Sequence, residues 1–476
     1  MKYHTVIGLE IHVELLTQTK IFCACSAKFG GEPNHHTCPI CLGMPGALPV
    51  LNKKAVELAV CVGLATNCEI QKKSMFDRKN YFYPDNPQNY QISQLYLPIC
   101  KNGWLDLENS ESKRIRIHEI HLEEDASKLI HGENGTLIDY NRAGVPLIEI
   151  VTEPDFSNSD EVIQFLRQLQ DRIVFLNASD CKMNEGSMRV DVNLSLRREG
   201  ETRLGTRTEM KNLNSFKGIE HGIAHERTRQ LELLQSGQSV KQETRRWKEE
   251  QGCSFSMRTK ETVRDYRYFP DPDLMPIVLS EQWIEKIRAS LPEFKEELSR
   301  RLQMEYGITK QDAEMLSSSP KLANLFEETN RICYNPKKTA NWLTGELFYL
   351  LKASNRTLEE CTFSVKNVAE LVRITDRGEI NSSAAKEVFK QIFFFDCNPN
   401  EYIAAHRLSN PMEEGQLTDL IQSVIFEHTK ATEDYRKGKK QAIGFLLGQI
   451  MKQLHGRGDL ARIKNILTAL LEKQDE

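Results

Sequence analysis

A short apolar segment with a carboxylate at its centre is the feature that most constrains this chain. The segment Leu147–Val151 is apolar and rich in β-branched residues, which is typical of a strand buried on both faces. A lone carboxylate in such a strand, here Glu149, would become neutral unless a cation or a basic side chain faced it. The sequence therefore leaves two interpretations of Glu149, a metal site or an ion pair with a base such as Arg142.

Further acids lie upstream of this segment. Glu123, Glu124 and Asp125 precede a Gly-Val-Pro turn at 144–146. Mg²⁺ is bound through one or two carboxylates together with substrate phosphates. Two groups of acids separated by a turn therefore supply what a Mg²⁺ site needs, while the ion-pair interpretation of Glu149 stays open.

The first strand predicted from the sequence, residues 5–15, alternates strictly between apolar and polar residues. Alternation of period two places Glu10, His12 and Glu14 on one face of the strand. Imidazole and carboxylate groups two residues apart project in parallel, so both can reach one ion or one phosphate. A solvated sheet edge is the alternative, since charged alternation is common at such edges.

Four cysteines lie in two close pairs, Cys23-x-Cys25 and Cys38-x-x-Cys41. This spacing predicts a tetrahedral structural Zn²⁺ site, and the absence of an export signal favours reduced thiols over disulfides. His35 or His36 in place of Cys25 is an alternative ligand. A closed four-thiolate site leaves no open coordination position, so we expect the zinc to stabilise the fold rather than to react.

Two segments place basic side chains where they could bind phosphates. In the first, Arg78 and Lys79 stand beside Tyr81, which suggests a phosphate clamp next to a ring that stacks on a base. An aromatic loop packed on the core is the alternative. In the second, a predicted hairpin over 188–213 has one polar face, which is either a solvated surface or the floor of a ligand cleft. The hairpin side chains that we consider on this face are Arg189, Asp191, Arg207, Glu209 and Lys211.

The rest of the chain is predicted to be helical from about residue 290, and its last part is locally basic. The net charge of −4 confines any nucleic-acid contact to such a local patch. The patch either contacts a phosphate backbone or is a solvated helix face. Its basic residues, interrupted by the acid Asp459, are Arg436, Lys437, Lys439, Lys440, Lys452, Arg457, Arg462 and Lys464.

Length and hydropathy bound the remaining possibilities. At 476 residues the chain exceeds one hydrophobic core, so we expect two or three domains. No apolar run approaches the roughly 20 residues that cross a bilayer, and no signal peptide is apparent, so we expect a cytoplasmic protein without membrane contact.

Several longer motifs resemble those of the B subunit of aspartyl/glutamyl-tRNA amidotransferase, and the match covers essentially the whole chain. The motifs are Val6-Ile-Gly-Leu-Glu-Ile-His-Val-Glu-Leu15, Phe76-Asp-Arg-Lys-Asn-Tyr-Phe-Tyr-Pro-Asp85, His121-Leu-Glu-Glu-Asp-Ala-Ser-Lys128, Pro146-Leu-Ile-Glu-Ile-Val-Thr-Glu-Pro-Asp155, Lys211-Asn-Leu-Asn-Ser-Phe216, Gln242-Glu-Thr-Arg-Arg246 and Asp265-Tyr-Arg-Tyr-Phe-Pro270.

The resemblance implies an α+β fold in three domains. An antiparallel-sheet cradle with flanking helices, kinase-like and catalytic, would span 1–292. The zinc knuckle that the cysteine spacing predicts near 23–41 would lie within it. An all-helical middle domain would span 293–398, and a small helical tail that binds tRNA would span 399–476.

The resemblance also implies an activity. The protein would use ATP to phosphorylate the side-chain carboxylate of Glu on tRNA(Gln) or Asp on tRNA(Asn). Ammonia from a partner amidase, the A subunit, would then displace the phosphate, and a small C subunit would complete the heterotrimer. A non-catalytic, zinc-stabilised tRNA-binding protein is the alternative.

The same resemblance implies roles for individual residues. His12, Glu124 and Glu149 would be Mg²⁺ ligands, and Glu10, Asp191 and Glu209 would line the same site. The residue patterns described above add the remaining expectations. Phosphates would contact Arg78, Lys79, Tyr81, Arg189, Arg207 and Lys211, and the tRNA body would contact Lys439, Lys440, Lys452 and Arg457. Two features differ across the family: some members lack the cysteines, and the sequence 456–461 departs from the usual tail loop.

Overall fold

The computed structural model describes residues 2–107, 113–132, 135–259, 266–409, 414–437, 439–454 and 460–472. It divides into two compact units, Met1–Glu293 and Phe294–Glu476. The first unit is built on a large sheet, and the described part of the second contains helices without strands. The α+β class expected from the sequence is therefore confirmed.

A nine-stranded sheet organises the first unit. Its strand order is β14-β13-β12-β11-β1-β10-β7-β6-β2, and smaller sheets are formed by β15-β4-β5, β16-β3 and β8-β9. The strands are β1 (Tyr3–Glu14), β2 (Glu69–Ile70), β3 (Lys73–Ser74), β4 (Asp77–Asn80), β5 (Tyr90–Ser93), β6 (Cys100–Leu107), β7 (Lys113–Glu124), β8 (Lys128–Gly132), β9 (Gly135–Asp139), β10 (Pro146–Thr152), β11 (Met188–Arg198), β12 (Thr208–Leu213), β13 (Glu243–Lys248), β14 (Cys253–Thr259), β15 (Phe269–Pro270) and β16 (Ile277–Val278).

The sheet is antiparallel except at one pair of strands. β13 runs parallel to β12, whereas the other described neighbours in the large sheet are antiparallel. An antiparallel sheet can bury one face and leave the other open to solvent or ligands. The central strand β1 has this pattern, since Leu9, Ile11 and Val13 are buried while Glu10 and His12 are partly exposed on the opposite face.

Helices cover the apolar face of the sheet. α1 contacts β6 and β7, α2 contacts β6, and α3 contacts β11 and β12. The buried side chains of these helices and strands form one continuous hydrophobic core, which leaves the polar face free of this packing. The helices of this unit are α1 (Lys53–Ala65), α2 (Ser159–Phe175), α3 (Phe216–Gln235) and α4 (Glu281–Ala289), with a 3₁₀ turn at Glu249–Gln251.

The second unit follows the helical prediction closely. One stretch, Trp342–Leu347, is a π-helix between two α-helices. None of the helices among the described residues is both long and apolar enough to cross a bilayer. The helices are α5 (Lys295–Tyr306), α6 (Lys310–Leu316), α7 (Pro320–Cys333), α8 (Pro336–Asn341), α9 (Phe348–Ser354), α10 (Val365–Asp376), α11 (Ser382–Phe395), α12 (Pro399–His406), α13 (Glu414–Glu427), α14 (Thr429–Arg436), α15 (Ala442–Gln453) and α16 (Leu460–Glu472), with a 3₁₀ turn at Leu358–Glu360.

Candidate active site

A row of largely buried polar side chains crosses the polar face of the large sheet. His12 of β1 lies directly opposite Glu149 of β10, and Glu149 in turn lies opposite His121 of β7. Nε2 of His12 is 3.4 Å from Oε2 of Glu149, and Nε2 of His121 is 3.2 Å from the same oxygen. The carboxylate that the sequence placed inside a buried strand is therefore held between two imidazoles.

Arg142 does not pair with Glu149. Its guanidinium donates hydrogen bonds to the carbonyl oxygens of Ala126 and Ser127, and it lies 3.6 Å from a carboxylate oxygen of Asp125. The ion-pair interpretation of Glu149 thus fails for Arg142, because another acid and two backbone carbonyls hold that base.

The row determines the protonation of its own members. Burial alone would raise the pKa of Glu149, but the two imidazoles hold it well below its usual range. Burial would lower the pKa of His121, whereas the carboxylates of Glu149 and Glu119 raise it to about 10. The pKa of His12 is also raised, because the pull of Glu149 exceeds the opposing effect of burial. The two imidazoles therefore favour the ionised form of Glu149.

Glu123 and Glu124 occupy different surroundings although they are adjacent on β7. Oε1 of Glu123 lies 3.7 Å from Nε2 of His12, so Glu123 joins His12 and Glu149 in a group whose ligand atoms lie within 4.8 Å of one another. Glu124 instead accepts hydrogen bonds from the backbone N–H of Ile92 at 2.9 Å and from the side chain of Gln88 at 3.3 Å. Burial raises the pKa of Glu124 to about 8. The group with metal-binding geometry contains Glu123 at the place where the family resemblance put Glu124.

A second acidic group lies beside the first. Glu10, Asp191 and Glu209 offer carboxylate oxygens within 4.8 Å of one another, and Glu10 lies directly opposite Asp191 in the sheet. Lys211 forms ion pairs with Asp191 and, at 3.1 Å, with Glu209. Burial, with added repulsion from Glu149 and Glu209, raises the pKa of Glu10. The three carboxylates repel one another, and a single lysine offsets only part of their charge. A bound cation would reduce this repulsion further.

Hydrogen bonds fix this second group from the neighbouring strands. The hydroxyl of Thr244 donates to Oε2 of Glu209 at 2.6 Å, and the side-chain amide of Asn193 donates to Oε1 of Glu10 at 3.0 Å. Sequence reasoning did not single out Thr244. It comes from β13, whose parallel pairing with β12 places Thr244 opposite Glu209.

The predicted phosphate-binding bases fall into two classes. Lys79 faces the first acidic group: burial alone would lower its pKa, but Glu123, Tyr268 and Glu149 raise it above its usual range. Arg78 is engaged elsewhere, with Nε 2.8 Å from Asp271 and Nη2 2.6 Å from Asp273. Lys79, rather than Arg78, is therefore the base whose charge interacts with Glu123 and Glu149.

Arg189 and Arg207 also depart from the predicted cleft lining. Nη2 of Arg189 lies 2.7 Å from Oδ2 of Asp125, so this base neutralises a buried acid next to the row. Arg207 precedes β12 and is exposed.

Tyr81 packs against Tyr266, with ring centroids 6.3 Å apart, and Tyr266 also lies 5.3 Å beneath the ammonium of Lys79.

The four predicted zinc ligands come together. Ligand atoms of Cys23, Cys25, Cys38 and Cys41 lie within 4.8 Å of one another, so this cluster could hold a zinc ion. A hydrogen bond from Cys23, against the effect of burial, lowers the pKa of Cys41 to about 5. The same hydrogen bond raises the pKa of Cys23, and burial raises the pKa of Cys25 to about 11. A zinc ion requires thiolates, so its binding would displace the protons that these thiols hold.

A fully buried lysine accompanies the four thiols. Lys20 has no solvent exposure, and its Nζ lies 3.5 Å from Sγ of Cys41 and 3.2 Å from the carbonyl oxygen of Tyr140. Zinc bound by four thiolates carries two net negative charges, and a buried ammonium offsets part of them. The sequence pattern could not identify Lys20, since nothing local distinguishes it from a surface lysine.

The basic tail is less uniform than its sequence suggested. Lys437 pairs with Glu433 at 3.1 Å, and Lys439 pairs with Asp434 at 3.0 Å. Lys440 and Lys452 are exposed. Arg457, the fourth residue expected to contact tRNA, lies outside the described residues.

Comparison with known proteins first defines the class. A family model described as "GatB/GatE catalytic domain" matches residues 5–285, which include both acidic groups and the four cysteines. A second model, described as "GatB domain", matches residues 324–471.

Full-length relatives then define the family. A protein of Agathobacter rectalis is 55% identical over 472 residues, covering 98% of this chain and 99% of the relative. Proteins of Lachnospira eligens and Caldanaerobacter subterraneus subsp. tengcongensis are 52% and 49% identical, covering 99% of this chain and 99% and 100% of their own. All three are named as the B subunit of aspartyl/glutamyl-tRNA(Asn/Gln) amidotransferase. The chain belongs to this family of amidotransferase B subunits.

Proposed function

We propose that this chain is the ATP-using, tRNA-binding B subunit that converts Glu-tRNA(Gln), Asp-tRNA(Asn) or both into the amidated forms. One observation carries the proposal most strongly. Two groups of acids, with His12 in one and Lys211 beside the other, lie next to each other on the polar face of the large sheet. A passive tRNA-binding surface does not need buried acids, since phosphate backbones repel them.

The proposed reaction has two steps. A carboxylate oxygen of the misacylated residue attacks the γ-phosphorus of ATP, and the bond to the bridging oxygen breaks so that ADP leaves. Ammonia then attacks the acyl carbon of the resulting acyl phosphate, inorganic phosphate leaves, and a proton is lost from the nitrogen. Such a sequence is needed because a free carboxylate has no good leaving group, and the protein must offset charge during the phosphoryl transfer.

The residues present fit a hard divalent cation. His12, Glu123 and Glu149 supply one imidazole and two carboxylates within 4.8 Å of one another, and Glu10, Asp191 and Glu209 supply three more carboxylates. Oxygen-rich groups of this kind suit Mg²⁺, which when bound would link the nucleotide phosphates to the protein and offset their charge. We place Glu123 in the first group on its distance to His12, whereas Glu124 would act next to the site.

The chain's own bases would position the phosphates. The charge of Lys79 interacts with the first acidic group, and Lys211 forms ion pairs within the second, so each would offer an ammonium to the phosphates. Arg78 and Arg189 would instead hold Asp271 and Asp125 in place, because both guanidiniums are already engaged by these acids. Arg207 would reach substrate only from outside the sheet.

Further parts of the proposal concern cofactors, partners and location. The cysteine group would hold one structural Zn²⁺, with Lys20 offsetting its charge. Ammonia would come from a partner amidase, the A subunit, with a small C subunit completing a cytoplasmic heterotrimer. The proposed domains are 1–292 for catalysis, 293–398 as a helical middle domain and 399–476 for tRNA, where Lys440 and Lys452 are the exposed bases.

The experiment measures ATP hydrolysis by the purified complex with Mg²⁺ and misacylated tRNA but no glutamine. We expect hydrolysis to depend on the misacylated tRNA, and Glu149→Gln to lower it at least about 100-fold, since the change removes a charge that acts on the transferring phosphoryl group. Glu57→Gln is the matched control: it is the same chemical change at a partly exposed glutamate outside both acidic groups, which pairs with Lys54 at 2.6 Å.

Hydrolysis that ignores misacylated tRNA, or full hydrolysis by the Glu149→Gln complex, would contradict the proposal. Either result would favour a zinc-stabilised tRNA-binding protein whose chemistry lies in a partner.

A further inference from the structure

His121 stands in the same row as the proposed cation ligands but outside their group. The group that combines His12, Glu123 and Glu149 leaves it out. Nε2 of His121 nevertheless lies 3.2 Å from Oε2 of Glu149 and 4.0 Å from Oε2 of Glu123. Its side chain is only 10% exposed, so these acids, rather than water, surround its Nε2.

The other nitrogen of His121 faces a second acid. Nδ1 lies 3.4 Å from Oε1 of Glu119, which is two residues earlier on β7 and therefore on the same face of the strand. Glu119, His121 and Glu149 form a carboxylate–imidazole–carboxylate chain across two strands. Nδ1 is buried and has no hydrogen-bond partner among the described residues, so its contact with Glu119 is an ion pair at 3.4 Å, while Nε2 lies on the side of Glu149. The attraction between Glu119 and the far nitrogen favours this orientation of the ring.

His12 has a different position in the row. Its Nε2 approaches both Glu149 at 3.4 Å and Glu123 at 3.7 Å, as expected of neighbouring ligands around one small cation. His121 approaches the same acids from the opposite neighbouring strand, with Glu119 behind it. The two histidines therefore flank Glu149 but are not equivalent.

We propose that His121, aligned by Glu119, is a positioning residue that holds the Glu149 carboxylate in place to bind a divalent cation together with His12 and Glu123. This inference deepens the proposed function and rests on its cation site. Partners of metal ligands commonly change metal affinity by about 10–100-fold when they are removed. We expect removal of the His121 imidazole to weaken cation binding by a factor in this range.

The test measures Mn²⁺ binding to the full chain by electron paramagnetic resonance, without ATP or tRNA, because Mn²⁺ shares the ligand preferences of Mg²⁺. Glu149→Gln identifies which binding event belongs to this site. His121→Leu should weaken that event about 10-fold or more. His121→Gln, whose amide N–H can still donate to Glu149, should recover affinity to within about threefold of the unchanged chain.

His118→Leu, on the exposed part of the same strand, should leave Mn²⁺ affinity unchanged. Unchanged affinity in a folded His121→Leu chain would overturn the inference, as would an equal loss in the Leu and Gln variants. If His121→Leu does not fold, Glu119→Gln decides: a loss of about threefold or more supports the inference, and no loss overturns it. Full Mn²⁺ affinity in Glu149→Gln would instead overturn the cation site itself, so the two failures are distinguishable.

Discussion

Glu123 reaches to within 3.7 Å of the His12 imidazole, whereas the carboxylate of Glu124, one residue later, accepts a hydrogen bond from the backbone N–H of Ile92. Successive side chains of a strand point in opposite directions, so adjacent acids cannot serve one site equally. The difference decides which acid the cation site uses.

Glu123→Gln should weaken Mn²⁺ or Mg²⁺ binding at the first acidic group by about 10-fold or more, because it removes a charged ligand at nearly constant volume. Glu124→Gln should leave that affinity within about threefold of the unchanged chain. Calorimetric titration of the free chain compares the two variants directly. The reverse order of effects would return Glu124 to the ligand set that the family resemblance implied.

The cysteine group should contain one zinc ion per chain, measurable by elemental analysis of protein prepared without added metal. Cys41→Ser should lose the zinc and lower the melting temperature, since binding to a structural site contributes to folding. Cys397→Ser, at a cysteine outside the group, should retain both. A zinc-free chain with the same melting temperature would contradict a structural site.

Lys20→Met tests the buried ammonium at the zinc group separately. The change keeps an unbranched side chain but removes the charge next to Cys41, so zinc should be lost more readily to a chelator. Equal rates of zinc release from Lys20→Met and the unchanged chain would show that the lysine serves packing alone.

Glu226 should be a large contributor to the stability of the first unit. Its fully buried carboxylate accepts hydrogen bonds from Thr208 and Arg229, both at 2.7 Å, and from Gln230 at 2.9 Å. Glu226→Gln should cost about 3 kcal/mol, because it removes a buried carboxylate shared by Arg229 and Arg245 and leaves these two bases with Glu243 alone. Glu57→Gln, which breaks an exposed pair with Lys54, should change stability by less than about 1 kcal/mol.

The contribution of Glu226 should also depend on pH. Burial would raise the pKa of Glu226, but the hydrogen bonds from Arg229 and Gln230 bring it below the ordinary value of 4.5. A depressed folded pKa means that the stabilisation is complete above the unfolded pKa and is lost as the pH falls through the folded pKa. Thermal unfolding should therefore separate Glu226→Gln from the unchanged chain at pH 7, and the gap should narrow below pH 4.5.

The tail should bind tRNA through its exposed bases. Lys440→Ala combined with Lys452→Ala should weaken tRNA binding and reduce the slope of log affinity against log salt by roughly one for each lost phosphate contact. Lys437→Ala is the control, since Glu433 already neutralises that base. Filter binding at several salt concentrations measures both quantities. Equal slopes in all three proteins would identify the patch as a solvated helix face.

The sequence determined the local features of this protein. Period-two alternation placed Glu10 and His12 on one face of β1, and the structure has them there. The Cys23–Cys41 spacing predicted four thiols in one group, and the helical periodicity after residue 290 predicted the helices of the second unit. These features depend on residues close together in the chain, which is why local patterns contain them.

Only the tertiary structure decided which residues share a site. β1 pairs with β10 and β11, which lie far from it in the sequence. The registers of these two pairings place His12 opposite Glu149 and Glu10 opposite Asp191. The pairing of β10 with β7 places His121 opposite Glu149, and the parallel pairing of β13 with β12 places Thr244 opposite Glu209. Hydrophobic alternation tells which face a residue occupies but not which strand lies beside it or in what register. The neighbours of Glu149 therefore follow from strand pairing over long sequence separations, which no local pattern records.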